Sequence, residues 1–348
     1  MTIKKRKAVA LISGGLDSML AAKLMLEQNI HVEGINFYTG FCIEGHTQAI
    51  RRQDANKPKR NNALWVAEQL GIKLHIIDII DDYKRIVLNP QYGYGANLNP
   101  CLDCKIFMVN QAKLWLEQHD FDFIITGEVV GQRPKSQRRA TMPIVSKKSQ
   151  ACDRLLRPLC AQHLPITMPE REGWVDRTKL LAINGRGRKP QIALAARYGF
   201  DDYAQPAGGC CFLTNKSYSS KLKDLWQARK RRDYELDDII LLKVGRHLRP
   251  KANFKLIIAR EEGESNFLMG YKQQFDHMMC LSHPGPLVLI DGQLLAEDRE
   301  LAARIVARFC QGRHADKVNI QLTQRGGCSY LLPVKPFLEQ DIAKSWYV

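Results

Sequence analysis

The sequence predicts an α/β chain in which a doubly wound parallel sheet precedes a second, smaller α+β domain. Two observations carry this. In the first third, short β-branched runs at 8–12, 31–37, 73–77 and 123–126 are separated by helix-length segments, the pattern of successive βαβ units. After about residue 233 the pattern changes to strands with glycine turns at 239–244, 254–259 and 287–290, followed by a helical stretch at 297–309. A chain of 348 residues with 45% apolar content has enough material for two or three such domains. The expected division is 1–165, a connector at 166–232, and 233–348.

The elements follow in order. The strand at 8–12 leads into a helix at 18–28 that carries Met19, Leu20 and Leu24 at near-helical spacing, and 64–70 and 106–116 read likewise as packing helices. From 131 to 157 the chain turns basic and weakly periodic. Arg133, Lys135, Arg138, Arg139, Lys147, Lys148, Arg154 and Arg157 stand against one acid, Asp153, which predicts a surface loop region ending in a helix. Residues 159–173 are proline-rich, and 191–198 form a short helix before a Gly-Gly-Cys-Cys turn.

Composition narrows the function. Lys and Arg outnumber Asp and Glu by 52 to 36, a formal charge of +16, which suits a polyanionic partner because neutralising phosphates releases condensed counterions. No run of about 18 uncharged apolar residues occurs, and Met-Thr-Ile-Lys-Lys-Arg-Lys runs into a strand without a cleavage site. A cytoplasmic protein with no membrane partner is expected. Ten cysteines there suit metal, persulfide or burial better than a disulfide framework.

The most informative stretch is Ser13-Gly14-Gly15-Leu16-Asp17-Ser18, between the first strand and the first helix. Such a turn aims backbone N–H groups and the helix dipole at an anion. Gly14 and Gly15 remove the Cβ atoms that would hold a phosphate away, and Ser13 and Ser18 add hydroxyls. Asp17 beside an anion requires a bridging Mg²⁺. A helix cap is the plainer alternative. A kinase-type loop would end in Gly-Lys-Ser/Thr, and this one does not.

Two cysteine groups follow. Cys101 and Cys104, in Asn99-Pro100-Cys101-Leu102-Asp103-Cys104-Lys105, precede a helix whose dipole lowers thiolate pKa. Cys210 and Cys211 sit on the Gly208-Gly209 turn. Three thiolates from two loops, Cys101, Cys104 and Cys210 with Cys211 in reserve, suit a [4Fe-4S] cluster with one open iron. Cys42, Cys152, Cys160, Cys280, Cys310 and Cys328 have no ligand-like partner at short spacing and read as structural.

The phosphate loop resembles the SGGxDS loop of the PP-loop ATP pyrophosphatases, which cleave ATP to AMP and pyrophosphate. The resemblance implies an adenine-nucleotide alpha-hydrolase-like fold, a second nucleotide-contacting turn at Thr126-Gly127-Glu128, and Phe37 and Tyr38 near the adenine. Over residues 7–215 the chain resembles the tRNA 2-thiouridylase branch, in which Cys104 matches the first functional cysteine and Cys210 the second. Cys101 stands where many bacterial members carry aspartate, toward the Cys-x-x-Cys of cluster-dependent thiolation enzymes. Persulfide and cluster chemistry both stay open. The run Gly127-Glu128-Val129-Val130-Gly131-Gln132-Arg133-Pro134 resembles a further group of thiouridylase-like proteins. From about 233 onward, Val244-Gly245-Arg246-His247-Leu248-Arg249 with Lys251, Asn253, Lys255 and Arg260 resembles the RNA-binding domain of NFACT proteins. There Arg246, His247, Arg249 and Lys251 form an expected phosphate clamp.

Together these imply an ATP- and Mg²⁺-dependent tRNA sulfurtransferase fed by a desulfurase-derived persulfide or sulfide. An RNA-binding factor that senses nucleotide without sulfur transfer, and a PP-loop ligase or amidotransferase acting on a small acid, are the alternatives.

Overall fold

In the computed structural model, which describes residues 5–43, 60–203 and 211–348, the alternating pattern of the first third becomes a parallel sheet. Its elements are β1 (Lys7–Leu11), α1 (Leu16–Leu26), β2 (His31–Tyr38), α2 (Asn62–Leu70), β3 (Leu74–Asp78), α3 (Ile80–Leu88), α4 (Cys101–Gln118), β4 (Phe123–Ile125), α5 (Met142–Lys148), β5 (Leu155–Leu156), α6 (Met168–Arg171) and α7 (Lys189–Arg197). The strand order is β3-β2-β1-β4-β5, every pairing parallel.

Alternation along the central strands explains the two helical layers. Ala8, Ala10, Phe123 and Ile125 face one layer with α1, Ala63 and Val66 of α2, and Ala195 of α7. Val9, Ile124, Ile35 and Phe37 face the other, with Leu102, Val109, Ala112 and Leu116 of α4 and Val145 of α5. Successive strand side chains point to opposite faces, so a strand with apolar residues at every position must be covered twice. The Asn61 side chain caps α2, accepting from Ala63 N at 2.9 Å and Leu64 N at 3.2 Å, and Gly71 ends it at φ +63.

The 131–157 region is not wholly surface loop. It supplies α5 and β5, and Arg157 is buried. The fifth strand is too short to register as a periodic pattern.

By compactness the chain divides between Thr214 and Asn215: described residues up to Cys42 with Arg60–Thr214 form one unit, and Asn215–Val348 belong to the other. The second unit contains α8 (Lys216–Ala228), α9 (Leu236–Leu241), β6 (Arg246–Lys251), β7 (Phe254–Ile258), α10 (Glu262–Met269), β8 (Asp276–Cys280), β9 (Val288–Gly292), α11 (Arg299–Arg308), β10 (Val318–Thr323) and β11 (Ser329–Val334). Its sheet is antiparallel, in the order β11-β10-β8-β9-β7-β6. Ala302, Ala303, Ile305 and Val306 of α11 pack on Leu256, Met278, Ile290 and Ile320.

One element differs in kind from expectation. The apolar run expected as a strand at 239–244 is the end of α9 and the turn after it. Glu235 and Asp238 cap each other's backbone across the first turn, and Tyr218 Oη donates to Ile239 O at 2.9 Å. A short apolar run fits a buried strand and a buried helical turn equally well, and the capping acids decide for the helix. Among the described residues no helix is long and apolar enough to cross a membrane.

Candidate functional site

In the first unit β1 is joined to β2 through α1, while its other neighbour, β4, comes from later in the chain. The order therefore reverses between β1 and β4, and the crevice outside the carboxyl ends of these two strands is where open α/β sheets bind ligands. Two turns border it, residues 13–18 after β1 and 126–128 after β4.

The first turn is built for an anion. Gly14 has φ +76, and a Cβ there would lie 2.8 Å from Asn62 Cβ and 2.9 Å from Ala63 N, so only glycine lets the loop pass against the start of α2. Gly15 is the N-cap of α1 and the helix has no side-chain cap, which removes the plain capping role for Ser13 or Asp17. Ser18 Oγ donates to Gly15 O at 2.8 Å, and Ser13 Oγ lies 3.4 Å from Ser18 Oγ, so the two hydroxyls face each other across the loop. The amides at the start of an uncapped helix are donors for phosphate oxygens.

Asp17 shows the fit to a divalent cation. Its Oδ2 accepts from Gln132 Nε2 at 2.6 Å and from Arg188 Nη2 at 3.0 Å, while its Oδ1 is buried with no partner. A buried carboxylate oxygen left without a donor is costly unless something binds it, and Mg²⁺ takes carboxylate oxygens of this kind. Gln191 Nε2 donates in turn to Gln132 Oε1 at 3.2 Å. Nothing in the sequence singles out Gln132, Arg188 or Gln191 for this role. The only available signals were Gln132 in the 127–134 run and basic residues flanking α7.

The second turn abuts the first. A Cβ on Gly127 would collide with the Asp17 carbonyl and the Ser18 amide nitrogen, so glycine is what allows β4 to end against the phosphate loop. Below it lies a buried ion pair. Arg157 Nε donates to Glu128 Oε2 at 3.0 Å, and Thr126 Oγ1 donates to the same oxygen at 3.0 Å. Arg157 also donates to Ser146 Oγ at 3.1 Å and to Met142 O at 3.3 Å. Burial alone would raise the Glu128 carboxyl, but the charges of Arg157 and Lys105 and the hydrogen bonds hold it below its ordinary value. Cys160, whose thiol donates to Glu128 O at 3.2 Å, is pushed up to about 11 by burial and stays protonated, as a structural cysteine should.

Phe37 is 7% exposed and its ring packs with Ile35, Ile79 and Leu102. Packing, then, is what its side chain does, and the strand end rather than the ring borders the crevice.

Cys101 and Cys104 occupy the first turn of α4, both half-buried. Cys101 Sγ donates to Ser136 Oγ at 3.2 Å, and Cys104 Sγ lies 4.0 Å from Met108 Sδ. Asp103 between them is structural, accepting from Gln91 N at 2.8 Å and Tyr92 N at 3.1 Å. Cys210 lies outside the described residues. Its neighbour Cys211 is described, and the chain that follows it docks on the loop before α4: Leu98 N donates to Leu213 O at 3.2 Å and Asn97 Nδ2 to Thr214 O at 2.7 Å. Cys211 Sγ lies 3.9 Å from Asn99 Oδ1. Cys211, more than a hundred residues from Cys101 in sequence, thus lies beside the loop that leads into α4. Cys42, which has no cysteine at short spacing in sequence, is the backbone-bridge partner of Cys211. Among the described residues no three His, Cys, Asp or Glu side chains converge as a metal cage.

Most of the expected clamp of the second unit is engaged by internal partners. His247 is 2% exposed and its Nε2 bonds to Val244 O at 2.9 Å. Burial, then the charges of Lys221 and Lys255, hold it well below its ordinary pKa, so it is neutral. Arg249 pairs with Asp224 through Nε at 2.5 Å and Nη2 at 2.9 Å, Lys251 pairs with Asp298, and buried Lys255 reaches Asp291 at 3.0 Å. Arg246 and Lys251 are the exposed members of the four; Lys251 is held by Asp298, and the Arg246 guanidinium lies 5.6 Å from the Phe309 ring centroid. A sequence shows the cations of a strand but not the acids that fold brings beside them. In the first unit, by contrast, Arg138, Arg139, Lys147, Lys148 and Arg154 are exposed, and no ion pair holds them among the described residues.

Comparison with known proteins finds a separate match in each unit. Residues 6–159 match the family described as tRNA methyl transferase HUP domain, and residues 245–347 the family described as NFACT protein RNA binding domain. A tRNA-specific 2-thiouridylase MnmA from Roseiflexus sp. (strain RS-1) is 26% identical over 229 residues, covering 63% of this chain and 61% of the relative. The protein of the same description from Mesoplasma florum is 30% identical over 143 residues, 37% of each chain. The chain therefore spans less than two thirds of the length of these relatives. Among solved structures, a 4-thiouridine synthetase–RNA complex with bound ATP aligns with a TM-score of 0.40 at 20% identity, over 68% of this chain and 52% of that one. In its first unit the chain resembles the PP-loop tRNA thiouridylases, and in its second the NFACT RNA-binding domain.

Proposed function

We propose that this chain, with a HUP-type phosphate loop in its first unit and an NFACT-type domain in its second, is an ATP-dependent tRNA sulfurtransferase acting on a uridine carbonyl. The observation that carries the reading is the uncapped start of α1 at the switch point of the sheet, with the unpartnered Asp17 Oδ1 beside it. The amides of residues 14–17 and the hydroxyls of Ser13 and Ser18 hold the ATP phosphates. Asp17 would hold Mg²⁺, which neutralises charge developing on the phosphates when bound. The uridine oxygen attacks the α-phosphorus and pyrophosphate leaves. A sulfur nucleophile then attacks the activated carbon and AMP leaves with the former carbonyl oxygen. Binding and orientation at the two turns supply the rate of the first step.

Sulfur reaches the base from a desulfurase-derived persulfide carried on Cys104 or Cys210, and the half-buried thiol of Cys104 at a helix start suits that role. The second reading, favoured by the two thiols in one turn of α4, is a [4Fe-4S] cluster on Cys101, Cys104 and Cys210, which would present sulfide on its open iron.

Full-length protein prepared anaerobically and incubated with ATP, Mg²⁺, tRNA and a persulfide donor should yield AMP, pyrophosphate and a thiolated nucleoside in equal amounts. AMP without thiolated nucleoside would leave the small-acid ligase, and nucleotide binding without turnover would leave the sensing factor. About four iron atoms per chain would favour the cluster, and an active iron-free preparation the persulfide.

The RNA surface is expected on the first unit's basic segment. Replacing Arg138, Arg139, Lys147 and Lys148 by Gln should flatten the log–log salt dependence of tRNA binding by about 0.9 for each phosphate that is no longer neutralised. Arg249→Gln should leave it nearly unchanged, because Asp224 already neutralises that cation. The reverse ranking would move the RNA to the second unit.

A further inference from the structure

Arg188 lies beyond the stretch that matches the HUP family, at the N-cap of α7, yet the fold fixes it against the phosphate loop. The chain before it is tied to the turn after β4. Gly185 N donates to Val130 O at 2.8 Å, Asn184 pairs with Val130 in a parallel bridge, and a Cβ on Gly131 would lie 3.4 Å from Gly185 Cα. The helix after it packs through Ala195 into the layer that holds α1. Anchored on both sides, Arg188 directs Nη2 at Asp17 Oδ2, 3.0 Å away. Its Nε and Nη1 make no hydrogen bond among the described residues, and the side chain keeps 22% of its surface exposed.

Arg188 is not needed to hold Asp17. Gln132 Nε2 already donates to the same oxygen at 2.6 Å, and Gln132 is steadied by Gln191, which is fully buried. This pair of neutral amides orients the carboxylate without opposing a metal. A guanidinium does oppose it, because it repels the divalent cation that the unpartnered Oδ1 is suited to bind. Metal alone therefore gives no reason for a cation here. A metal-bound triphosphate does, since it carries more negative charge than one divalent cation neutralises, and a guanidinium with uncommitted N–H donors matches phosphate oxygens in geometry.

We propose that Arg188 is a direct ligand of the ATP phosphates, donating to their oxygens through the nitrogens that Asp17 leaves free. The assignment rests on the ATP-binding part of the proposed function and needs neither RNA nor sulfur.

The test uses the full chain and α,β-methylene ATP, which cannot release pyrophosphate, with binding read by calorimetry. In the presence of Mg²⁺, Arg188→Gln should weaken the analogue about tenfold or more, the loss of one hydrogen bond to a charged group. Arg188→Lys keeps the charge without the fork and should weaken it less. Without nucleotide, Mn²⁺ followed by electron paramagnetic resonance should bind Arg188→Gln about threefold or more tighter than the parent, since a repelling charge is gone. A residue that merely braces the loop would weaken both ligands. Direct contact is separated from action through Asp17 in an Asp17→Asn background with EDTA, where adding Arg188→Gln should still weaken the metal-free analogue about tenfold. Equal binding by the single and double variants would overturn the proposal, as would weaker Mn²⁺ binding by Arg188→Gln. A parent chain that binds no analogue would lose the ATP reading together with this one. Analogue binding that Arg188→Gln leaves unaltered would remove this proposal alone, and ATP turnover to AMP without thiolated nucleoside would remove sulfur transfer alone.

Discussion

Asp17→Asn is expected to lower AMP and pyrophosphate formation by on the order of 10²- to 10³-fold, the loss usual when one preorganised charge-stabilising group is removed. The variant keeps the shape of the side chain and its place at the start of α1. What it loses is the charge that holds a divalent cation at the unpartnered Oδ1 and attracts Arg188 at 3.0 Å. Because a carboxylate repels phosphate in the absence of metal, metal-free ATP should bind the variant at least as tightly as the parent. The signature is therefore a loss of turnover with nucleotide binding retained, read by AMP release beside calorimetry. AMP formation at the parent rate by a variant with an unchanged melting temperature would remove Asp17 from the mechanism.

The largest effect on stability is expected at Arg157. Replacing it by Met leaves Glu128, 1% exposed, without its main cation, and breaking a buried pair in this way costs about 3–5 kcal/mol. At about 2–4 °C per kcal/mol for a unit of this size, the melting temperature should fall by roughly 10 °C at neutral pH. The sign of the pH dependence distinguishes this cause from a packing defect. In the parent the folded carboxyl lies below its ordinary value of 4.5, because Arg157, Lys105 and the hydrogen bonds outweigh burial. Its contribution to stability is thus complete above 4.5 and is lost as pH falls through the folded value. Without Arg157, burial prevails and raises the carboxyl. The contribution then reverses: it is harmless below the unfolded value and grows costly as pH rises toward neutrality. Urea midpoints at pH 4.5 and 7.5 should show a deficit that widens with pH, and Glu128→Gln in the same chain should recover much of it at pH 7.5. A deficit equal at both pH values would assign the cost to packing. The same variant should weaken ATP binding, since Glu128 and Thr126 flank the glycine that abuts the phosphate loop.

Several features were legible because they depend on residues close together in sequence. Four strands of the first unit, the helices between them, the phosphate loop and the helix start at Cys101 all appear within a residue or a few of their expected places. The strand–glycine–helix order is itself the geometry of an anion site, so the sequence names Ser13 to Ser18 without knowledge of the rest. The apolar run at 239–244 was not legible in this way, since its conformation turned on the capping acids Glu235 and Asp238 rather than on its own residues.

The sequence by itself therefore determined the class of the first unit, its phosphate loop and the chemistry those residues favour, because hydrophobic period and turn composition act locally. Only the tertiary structure decided which charges remain available and which distant groups meet. It spent Arg249, Lys251 and Lys255 on internal acids, buried His247, and left the 138–148 cations exposed. It brought Gln132 and Arg188 to Asp17, Arg157 to Glu128, and Cys42 to Cys211. The physical reason is common to all of these: an ion pair, a buried hydrogen bond or a backbone bridge is made across a few ångströms of space, and the spacing of residues along a chain does not record which of them will be that close.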